Sequence, residues 1–315
     1  MPSSCQANRS HEKLVVAICT YRRPRALLTL LNQLSVIEGR DHAIVLVVDN
    51  DPDRSAEHVV HDFNEKSAAG IVYTHATPQG IATARNVALD FGGERSLAVL
   101  FIDDDELPEH TWLKSMLSKH TSFPAAIIVG PVRPEFVGTL PNWAPDGFFW
   151  RRTEYADGES ISVPIGSGNM LCPNKITIGG LRYDTDFDLA GGEDTHFTLR
   201  WLAANERIVW SAESAATERV PEERMSLQYA RERAYFTSMG YQHAIQKLTG
   251  RRKTLSALRV ARRWGLAALL WVYGTAASSA PMVARAQIHA AAARGIWAGM
   301  QGQWVNRWAK YQVDV

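Results

Sequence analysis

Short apolar runs alternate with helix-like segments along the first 130 residues of the chain. The runs are continuously apolar rather than alternating, which is typical of strands buried on both faces of a parallel sheet. They comprise residues 14–19, 44–48, 71–75, 97–102 and 125–132. Amphipathic segments follow the first and third runs, one beginning at Pro24 and the other after Gly80. This alternation predicts a three-layer α/β domain in which helices flank a mostly parallel sheet.

Polar residues cluster where four of the predicted strands end. The clusters are residues 20–23, 49–53, 78–85 and 103–106. Ligands of open parallel sheets bind beyond the carboxyl ends of the strands, so the four clusters predict one shared site. Their charges suit a phosphorylated ligand.

Three consecutive aspartates, Asp103, Asp104 and Asp105, follow the fourth strand directly. In an extended chain Asp103 and Asp105 would share one face while Asp104 turns away from it. Carboxylates this close repel each other unless a cation neutralises them, and oxygen ligands suit Mg²⁺ or Mn²⁺. From spacing alone, a solvated acidic loop that caps the next helix is the alternative.

A second acidic pair, Glu193–Asp194, follows two glycines and opens an amphipathic helix. Acids in a first helical turn often serve only to complement the helix dipole. The alternative is a general base whose pKa is raised by its acidic neighbour. Arg23 and Arg85 leave a similar choice between surface cations and groups that hold a pyrophosphate.

Composition and absent motifs exclude several classes of protein. The 315 residues are 46% hydrophobic and 21% charged, as in an ordinary globular protein. The three scattered cysteines cannot form a disulfide framework or a four-thiolate zinc site, which fits a reducing compartment. No Walker phosphate loop, GxGxxG, HExxH or GxSxG motif is present, which disfavours the chemistry that each of them supports.

Six segments, in order, resemble a bacterial family 2 glycosyltransferase of the GT-A fold, closest to the branch that builds exopolysaccharide repeat units and includes succinoglycan-type glucosyltransferases. The segments are VVAICTYRRP, VVDNDP, QGIATARNVAL, FIDDDELP, GSGNMLCPNK and FDLAGGEDTHFTLR. Each motif is weak to moderate alone, but their order and separations make the resemblance specific. It implies a Rossmann-like GT-A fold and covers about residues 15–200. We expect that domain to span residues 13–250, up to a change in charge near residue 250, after a flexible tail at residues 1–12 that lacks an apolar run.

The resemblance implies a nucleotide-diphosphate sugar as donor, of the UDP-hexose type, and Mn²⁺ or Mg²⁺ as cofactor. The residues that it assigns to the nucleotide and donor are Thr20, Tyr21, Arg23, Asp49, Asn50, Arg85, Asp103 and Asp104. It makes Asp105 the direct metal ligand and places Asp103 near the ribose, as the second member of the metal-binding pair. Many relatives have two aspartates after the second strand, so Asn50 leaves open which side chain reads the base.

The resemblance also makes Asp194 the catalytic base and Glu193 its acidic partner. Such a base removes the proton of an acceptor hydroxyl as its oxygen attacks the anomeric carbon, which implies a single displacement with inversion. Gly168 and Asn169 match the segment that lines the donor sugar or the acceptor. Trp143, in an aromatic-rich segment, is a further candidate for the sugar side, with hydrophobic packing of the loop as the alternative.

The end of the chain differs in charge from the rest. Residues 251–315 carry ten Lys and Arg against one acid, giving +9, while residues 1–250 carry 24 basic and 32 acidic residues, giving −8. Five of the ten tryptophans also lie in this basic end, around an uncharged stretch at residues 264–284. This pattern favours helices that lie on an anionic membrane surface, with a packed helical subdomain or a true span as alternatives. No nucleic acid is expected as a partner.

The leading hypothesis is therefore an inverting, metal-dependent transferase that acts on a lipid-linked glycan acceptor in polysaccharide synthesis. It would be peripheral, at the cytoplasmic face of a bacterial inner membrane. A rhamnosyl- or galactosyl-type member of the same family is one alternative. A catalytically idle, membrane-bound binder of sugar nucleotides is another, although such a protein need not keep both acidic motifs.

Overall fold

The computed structural model describes residues 13–67, 70–93, 96–188, 190–250 and 253–303. The tail expected at residues 1–12 lies outside them, as do Arg251, Arg252, Trp304 and Trp308 of the basic end. The strands, in chain order, are β1 (Leu14–Thr20), β2 (Ala43–Asp49), β3 (Val72–His75), β4 (Ala98–Phe101), β5 (Glu106–Pro108), β6 (Ile127–Val129), β7 (Val132–Phe136), β8 (Ser160–Ile161), β9 (Met170–Pro173), β10 (Ile208–Trp210) and β11 (Ala216–Val220). The α-helices are α1 (Pro24–Ser35), α2 (Glu57–Lys66), α3 (Ile81–Gly92), α4 (Trp112–Ser122), α5 (Asn174–Ile178), α6 (Glu193–Ala203), α7 (Leu227–Thr249), α8 (Lys253–Ala276) and α9 (Ala280–Met300).

The main sheet has eight strands in the order β3-β2-β1-β4-β9-β6-β10-β8. The four strands β3, β2, β1 and β4 run parallel, and β9 is antiparallel to both of its neighbours. A smaller sheet has the order β5-β11-β7. The expected α/β fold with a mostly parallel sheet flanked by helices is confirmed.

Alternate residues of β1 feed two separate hydrophobic cores. Leu14, Val16 and Ile18 join the core beneath α1, α2 and α4. Val15 and Ala17 face the other way and join the core beneath α3 and α6. All five side chains are fully buried, which explains why this strand is a continuous apolar run.

The strand expected at residues 125–132 is two strands that belong to different sheets. β6 lies in the main sheet and β7 in the smaller one, and Gly130–Pro131 separates them. The Gly130 amide donates to the carbonyl of Asn169 (3.1 Å), and Pro131 has no amide hydrogen to continue a ladder. The prediction of extended structure in this run is therefore confirmed, but the break at Gly130–Pro131 was not predicted.

The last three helices form a packed unit on the α/β domain. α7 packs against both α6 and α9, and α9 packs against α8. This unit begins with α7, upstream of residue 251, and the chain turns between α7 and α8 at Gly250. The uncharged stretch at residues 264–284 is broken where α8 ends at Ala276 and α9 begins at Ala280. Within the described ranges, no helix has the length and hydrophobicity needed to cross a bilayer.

Candidate active site

The three aspartates lie in a turn and not on a strand face. β4 ends at Phe101, and the amide of Glu106 donates to the carbonyl of Asp103 (3.0 Å). The expectation that Asp103 and Asp105 share a face is therefore wrong, because the strand alternation stops before them. The turn instead directs the carboxylates toward different partners, and that difference defines the site.

Asp104 and Asp105 are tied to the loop after β1. The hydroxyl of Thr20 donates to Asp104 (2.8 Å), and the guanidinium of Arg23 donates to Asp104 (2.9 Å) and Asp105 (3.0 Å). Burial raises the pKa of Asp104 to about 6, although Arg23 opposes the shift. The structure thus brings together two clusters that the sequence placed at neighbouring strand ends. Tyr21, between Thr20 and Arg23 in sequence, is half-buried, and the guanidinium of Arg22 lies over its ring, 5.3 Å from the centroid.

A second arginine, absent from the sequence predictions, also reaches Asp105. Arg224, just after β11, donates to Asp105 (3.1 Å) and to Glu218 (3.3 Å), and Arg152 donates to Glu218 (2.7 Å). Burial opposes ionisation of Asp105, but Arg23 and Arg224 outweigh it and lower its pKa. Arg224 is 119 positions from Asp105 in sequence, so no local pattern could have indicated the contact.

Glu106 completes the acidic cluster, and its surroundings indicate whether a metal ion would fit there. The residue is 1% exposed, its Oε2 accepts from the Asp103 amide (3.4 Å), and its Oε1 accepts no hydrogen bond but lies 3.8 Å from the Arg152 guanidinium. Burial, with Asp103 adding to it, raises the pKa of Glu106 well above its usual value. A Cβ atom on Gly168 would lie 2.6 Å from Glu106 Oε1 and 3.0 Å from Asp103 Oδ2. The carboxylate oxygens of Asp103 and Glu106 therefore lie together beside Gly168, and one of them accepts no hydrogen bond. Such a group of oxygens suits a hard divalent cation.

The acidic turn does not form a complete metal cage by itself. Among the described residues, three ligand side chains close enough to share an ion occur only at His61, Asp62 and Glu65, all exposed on α2. Mg²⁺ and similar ions are commonly held by one or two carboxylates together with the phosphates of a substrate. The turn at Asp103 and Asp105 matches that second type of site.

Arg85 connects the acidic turn to the second acidic motif. The residue is 6% exposed, and its guanidinium donates to Glu193 (2.5 Å) and lies 3.6 Å from Asp103. The same group lies over the ring of Tyr183, 5.5 Å from the centroid. Burial raises the pKa of Glu193, Asp194 adds to the shift, and Arg85 opposes it. Glu193 is thus a buried partner of Arg85 rather than a solvated helix-capping acid.

Asp194 has a carboxylate oxygen without a partner at the first turn of α6. Its Oδ1 accepts from the amide of Thr195 (2.6 Å), and across the described ranges no donor bonds to Oδ2. This Oδ2 lies 3.4 Å from the position that a Cβ atom on Gly166 would occupy. Since Gly168 borders the acidic turn, one short loop borders both the turn and Asp194.

The side chains of Asp49 and Asn50, at the end of β2, bond to neighbouring loops within the protein. The carboxylate of Asp49 is fully buried and accepts bonds from the amide of Ala56 (2.9 Å) and the hydroxyl of Tyr73 (3.2 Å). The side chain of Asn50 accepts from the amide of Gly80 (2.5 Å) and so ties β2 to the loop before α3. Both side chains are thus engaged within the protein, and their expected contact with a nucleotide stays a prediction.

Asn169 and Trp143 also have packing partners that differ from the expected sugar contact. Asn169 is fully buried, accepts from the Trp112 indole (2.6 Å) and donates to the carbonyl of Ser214 (2.7 Å). Trp143 packs in an aromatic cluster, with its ring centroid 5.4 Å from that of Trp150. The hydrophobic-packing alternative therefore describes the environment of Trp143.

Asp188 is a structural member of the site that the sequence reasoning missed. It is buried and accepts from the amide (2.9 Å) and hydroxyl (2.7 Å) of Thr83, in the first turn of α3. A side-chain oxygen in this place caps the helix and anchors the loop that leads to Glu193. The signal was available, because Asp188 lies within the same FDLAGGED segment. His196, by contrast, is buried against the ring of Phe187 (5.0 Å) and belongs to the packing.

Comparison with known proteins identifies the family and the fold of the chain. The chain is 29% identical over 291 residues to the succinoglycan biosynthesis protein ExoM of Rhizobium meliloti (strain 1021), covering 89% of this chain and 92% of that protein. Its fold matches the mannosyltransferase PcManGT from Pyrobaculum calidifontis, solved with GDP-Man and Mn²⁺, at a TM-score of 0.65, with 19% identity over 92% and 88% of the two chains. It also matches S. aureus TarS 1-349, solved with UDP-GlcNAc, at a TM-score of 0.51, with 16% identity over 92% of each chain. The model of glycosyl transferase family 2 matches residues 15–174, which is about half of the chain and includes β1 through β9. This chain therefore belongs to glycosyl transferase family 2 and is a glycosyltransferase.

Proposed function

We propose that the enzyme transfers a hexose from a UDP-sugar to a lipid-linked glycan acceptor, with inversion, in exopolysaccharide synthesis. The similarity to a succinoglycan biosynthesis protein along most of both chains supports the polysaccharide context. The observation that carries the proposal is the buried Arg85, which contacts Glu193 and lies beside Asp103. It joins an acidic turn suited to a nucleotide and a metal with the helix that presents Asp194.

The donor side of the proposed site is the acidic turn with Thr20, Tyr21 and Arg23. Asp103 and Asp105 would hold Mn²⁺ or Mg²⁺, and the fold neighbour solved with GDP-Man and Mn²⁺ supports this choice. Such an ion offsets the negative charge that develops on a departing nucleoside diphosphate. Arg23 and Arg224 already neutralise Asp105, and both are placed to share their charge with a diphosphate at the same turn.

Asp194 forms the acceptor side of the proposed site. Because Arg85 engages Glu193 directly, Asp194 is the member of the pair with an oxygen that no donor occupies among the described residues. That oxygen takes the proton of the acceptor hydroxyl as the hydroxyl oxygen attacks the anomeric carbon. The bond from that carbon to the diphosphate breaks, and the electron pair leaves with the nucleoside diphosphate. One displacement from the opposite face inverts the anomeric configuration.

The acceptor is proposed to reach the enzyme from a bacterial inner membrane, at its cytoplasmic face. The net charge of +9 over residues 251–315 and the exposed apolar side chains of α8 support peripheral contact with an anionic surface. Contact of this kind would concentrate the enzyme where lipid-linked acceptors lie.

A donor panel tests the proposed function. Purified protein is incubated with labelled UDP-glucose, UDP-galactose, GDP-mannose or dTDP-rhamnose, a membrane extract, and either Mn²⁺ or a chelator. We expect a UDP-hexose to label a lipid-extractable product only when the metal is present. If only dTDP-rhamnose labels the product, the donor is a dTDP-sugar and not a UDP-hexose. Binding of UDP without transfer or hydrolysis of any donor would indicate an idle sugar-nucleotide binder.

A further inference from the structure

The three C-terminal helices enclose a cavity that the proposed reaction does not use. Its volume is about 330 Å³. The residues that line it are Arg259, Arg262, Arg263 and Leu266 of α8, His289 and Ile296 of α9 and Tyr241 of α7. The cavity is open and largely apolar inside, and three arginines, of which Arg259 and Arg262 are exposed, gather positive charge around it.

Neither α8 nor α9 contains an acid that could balance this charge. Residues 251–313 contain neither aspartate nor glutamate, and no salt bridge to Arg259, Arg262 or Arg263 is formed among the described residues. Arg263 instead contacts the ring nitrogen of His289 (2.7 Å), and Arg259 lies over the ring of Tyr241, 5.7 Å from its centroid. Like charges gathered without a counterion are unfavourable, so a bound anion would stabilise the arrangement.

Burial and repulsion between the cations both disfavour the charged forms of Arg263 and His289. Burial lowers the pKa of Arg263, and Arg262 adds to the shift. It also lowers the pKa of His289, with Arg263 and Arg285 adding to the shift. A guanidinium fork matches phosphate oxygens well, and phosphate is the anion that several arginines recognise together.

An apolar surface lies on the same helix as the cavity. Leu258 (67% exposed), Leu269 (67%), Val272 (65%) and Tyr273 (70%) project from one face of α8. Leu266 is 38% exposed and also lines the cavity, so the apolar face and the arginine cluster are contiguous. Trp264 and Trp271 of α8 are also about half exposed, but helical spacing places them well away from the centre of that face. A free phosphate would use the arginines but would leave this apolar face in water.

We propose that the cavity binds the phosphate headgroup of an anionic lipid while the apolar face of α8 contacts the acyl chains. The inference rests on the proposed membrane association and gives it a location, but it does not depend on the sugar donor or the reaction. The site also has a structural connection to catalysis. Tyr241 follows Gly240, whose backbone touches the Gly191–Gly192 segment that leads into Glu193.

Two triple variants of equal charge test the proposal in the full-length protein. One carries Arg259→Gln, Arg262→Gln and Arg263→Gln in the cavity. The matched control carries Arg25→Gln, Arg231→Gln and Arg294→Gln, three exposed arginines outside it. Sedimentation with phosphatidylcholine vesicles, with and without phosphatidylglycerol, measures binding, and calorimetry with inorganic phosphate measures the free anion. Retained affinity for UDP checks that both variants fold.

We expect the parent to prefer vesicles that contain phosphatidylglycerol. The cavity variant should lose about 100-fold in the partition coefficient, about fivefold for each cation, and the control less than about threefold. Leu269→Ser with Val272→Ser should weaken vesicle binding and leave binding of inorganic phosphate unchanged. If both triple variants lose vesicle binding equally, overall charge explains the loss, and the proposed site is wrong. Binding of inorganic phosphate without any preference for anionic vesicles would overturn the lipid assignment. A donor panel without transfer, alongside these vesicle results, would refute only the proposed reaction.

Discussion

Replacing Arg85 by glutamine removes the cation that lies between the two acidic motifs. In the parent, this guanidinium is 2.5 Å from Glu193 and 3.6 Å from Asp103, and its side chain is only 7% exposed. Glutamine keeps part of the side-chain volume and can still donate one hydrogen bond, but it carries no charge. Glu193 would then be buried next to Asp194 without its counterion.

The expected loss is large because the pair is buried. Removing one partner of a buried ion pair costs about 3–5 kcal/mol of unfolding free energy, since the other charge stays desolvated and unpaired. Arg182→Gln is the matched control, because Arg182 pairs with Asp90 at a similar distance (2.7 Å) with side chains 32% and 63% exposed. An exposed pair of this kind contributes about 0–1 kcal/mol.

The pH dependence separates this explanation from simple loss of packing. The folded-state pKa of Glu193 is already raised above its unfolded value, and removal of Arg85 raises it further. The folded state then binds more protons than the unfolded state, so stability of the variant falls relative to the parent as pH rises above the ordinary carboxyl range. The stability gap should therefore be wider near neutral pH than at about pH 5.

Urea unfolding of the parent and both variants at the two pH values measures the gap. The reasoning would be refuted by a gap of less than about 1 kcal/mol near neutral pH, the range of an exposed pair. It would also be refuted by a gap of equal size at both pH values, which would indicate lost packing rather than an unpaired carboxylate.

Two further substitutions test other parts of the site. Asp105→Ala should abolish the gain in UDP affinity that Mn²⁺ provides in calorimetry, because it removes the expected direct ligand, whereas Asp90→Ala, on the exposed face of α3, should keep that gain. Gly240→Ala would place a Cβ atom 2.7 Å from the Gly191 carbonyl oxygen, so we expect a loss of about 1–3 kcal/mol in stability and lower turnover as the loop before α6 shifts. Gly265→Ala meets open space on α8 and should instead stabilise the protein by up to about 1 kcal/mol.

Each of these has a contradicting result. Equal Mn²⁺-dependent affinity for UDP in the parent and in Asp105→Ala would remove that residue from the metal site. Turnover and stability of Gly240→Ala that match those of Gly265→Ala would show that the contact between α7 and the loop before α6 does not position the acidic pair.

The regular part of the fold was predictable because burial leaves a strong pattern. β1, β2 and β4 are buried on both faces, so each reads as an apolar run that ends at a polar cluster. β3, at the edge of the sheet, is only partly buried. β9 was not recognised as a strand, since it is short and lies antiparallel between β4 and β6, a pairing that depends on tertiary contacts. The smaller sheet was missed for the same reason.

The candidate site was predictable only where its residues follow strand ends or open a helix. Asp103, Asp105 and Asp194 lie at such places, so their pattern marked them. Arg224 and Arg152 reach the acidic turn from segments more than 40 residues away along the chain, which no spacing rule detects. Asp49 illustrates the opposite difficulty, because a strand-end acid can bond to its own loop, as Asp49 does, and the sequence pattern does not distinguish that role from ligand binding.

Asp194→Asn tests the central assignment most directly. The amide keeps the shape of the side chain but cannot accept the proton, so turnover with the best donor of the panel should fall at least about 100-fold, the low end for general-base catalysis. The affinity for the nucleotide should stay within about twofold of the parent, because Asp194 is placed on the acceptor side. Single-turnover transfer together with calorimetry of UDP gives both values from one preparation. A variant that keeps more than a tenth of parental turnover would contradict the account and place the base elsewhere, with Glu193 as the next candidate.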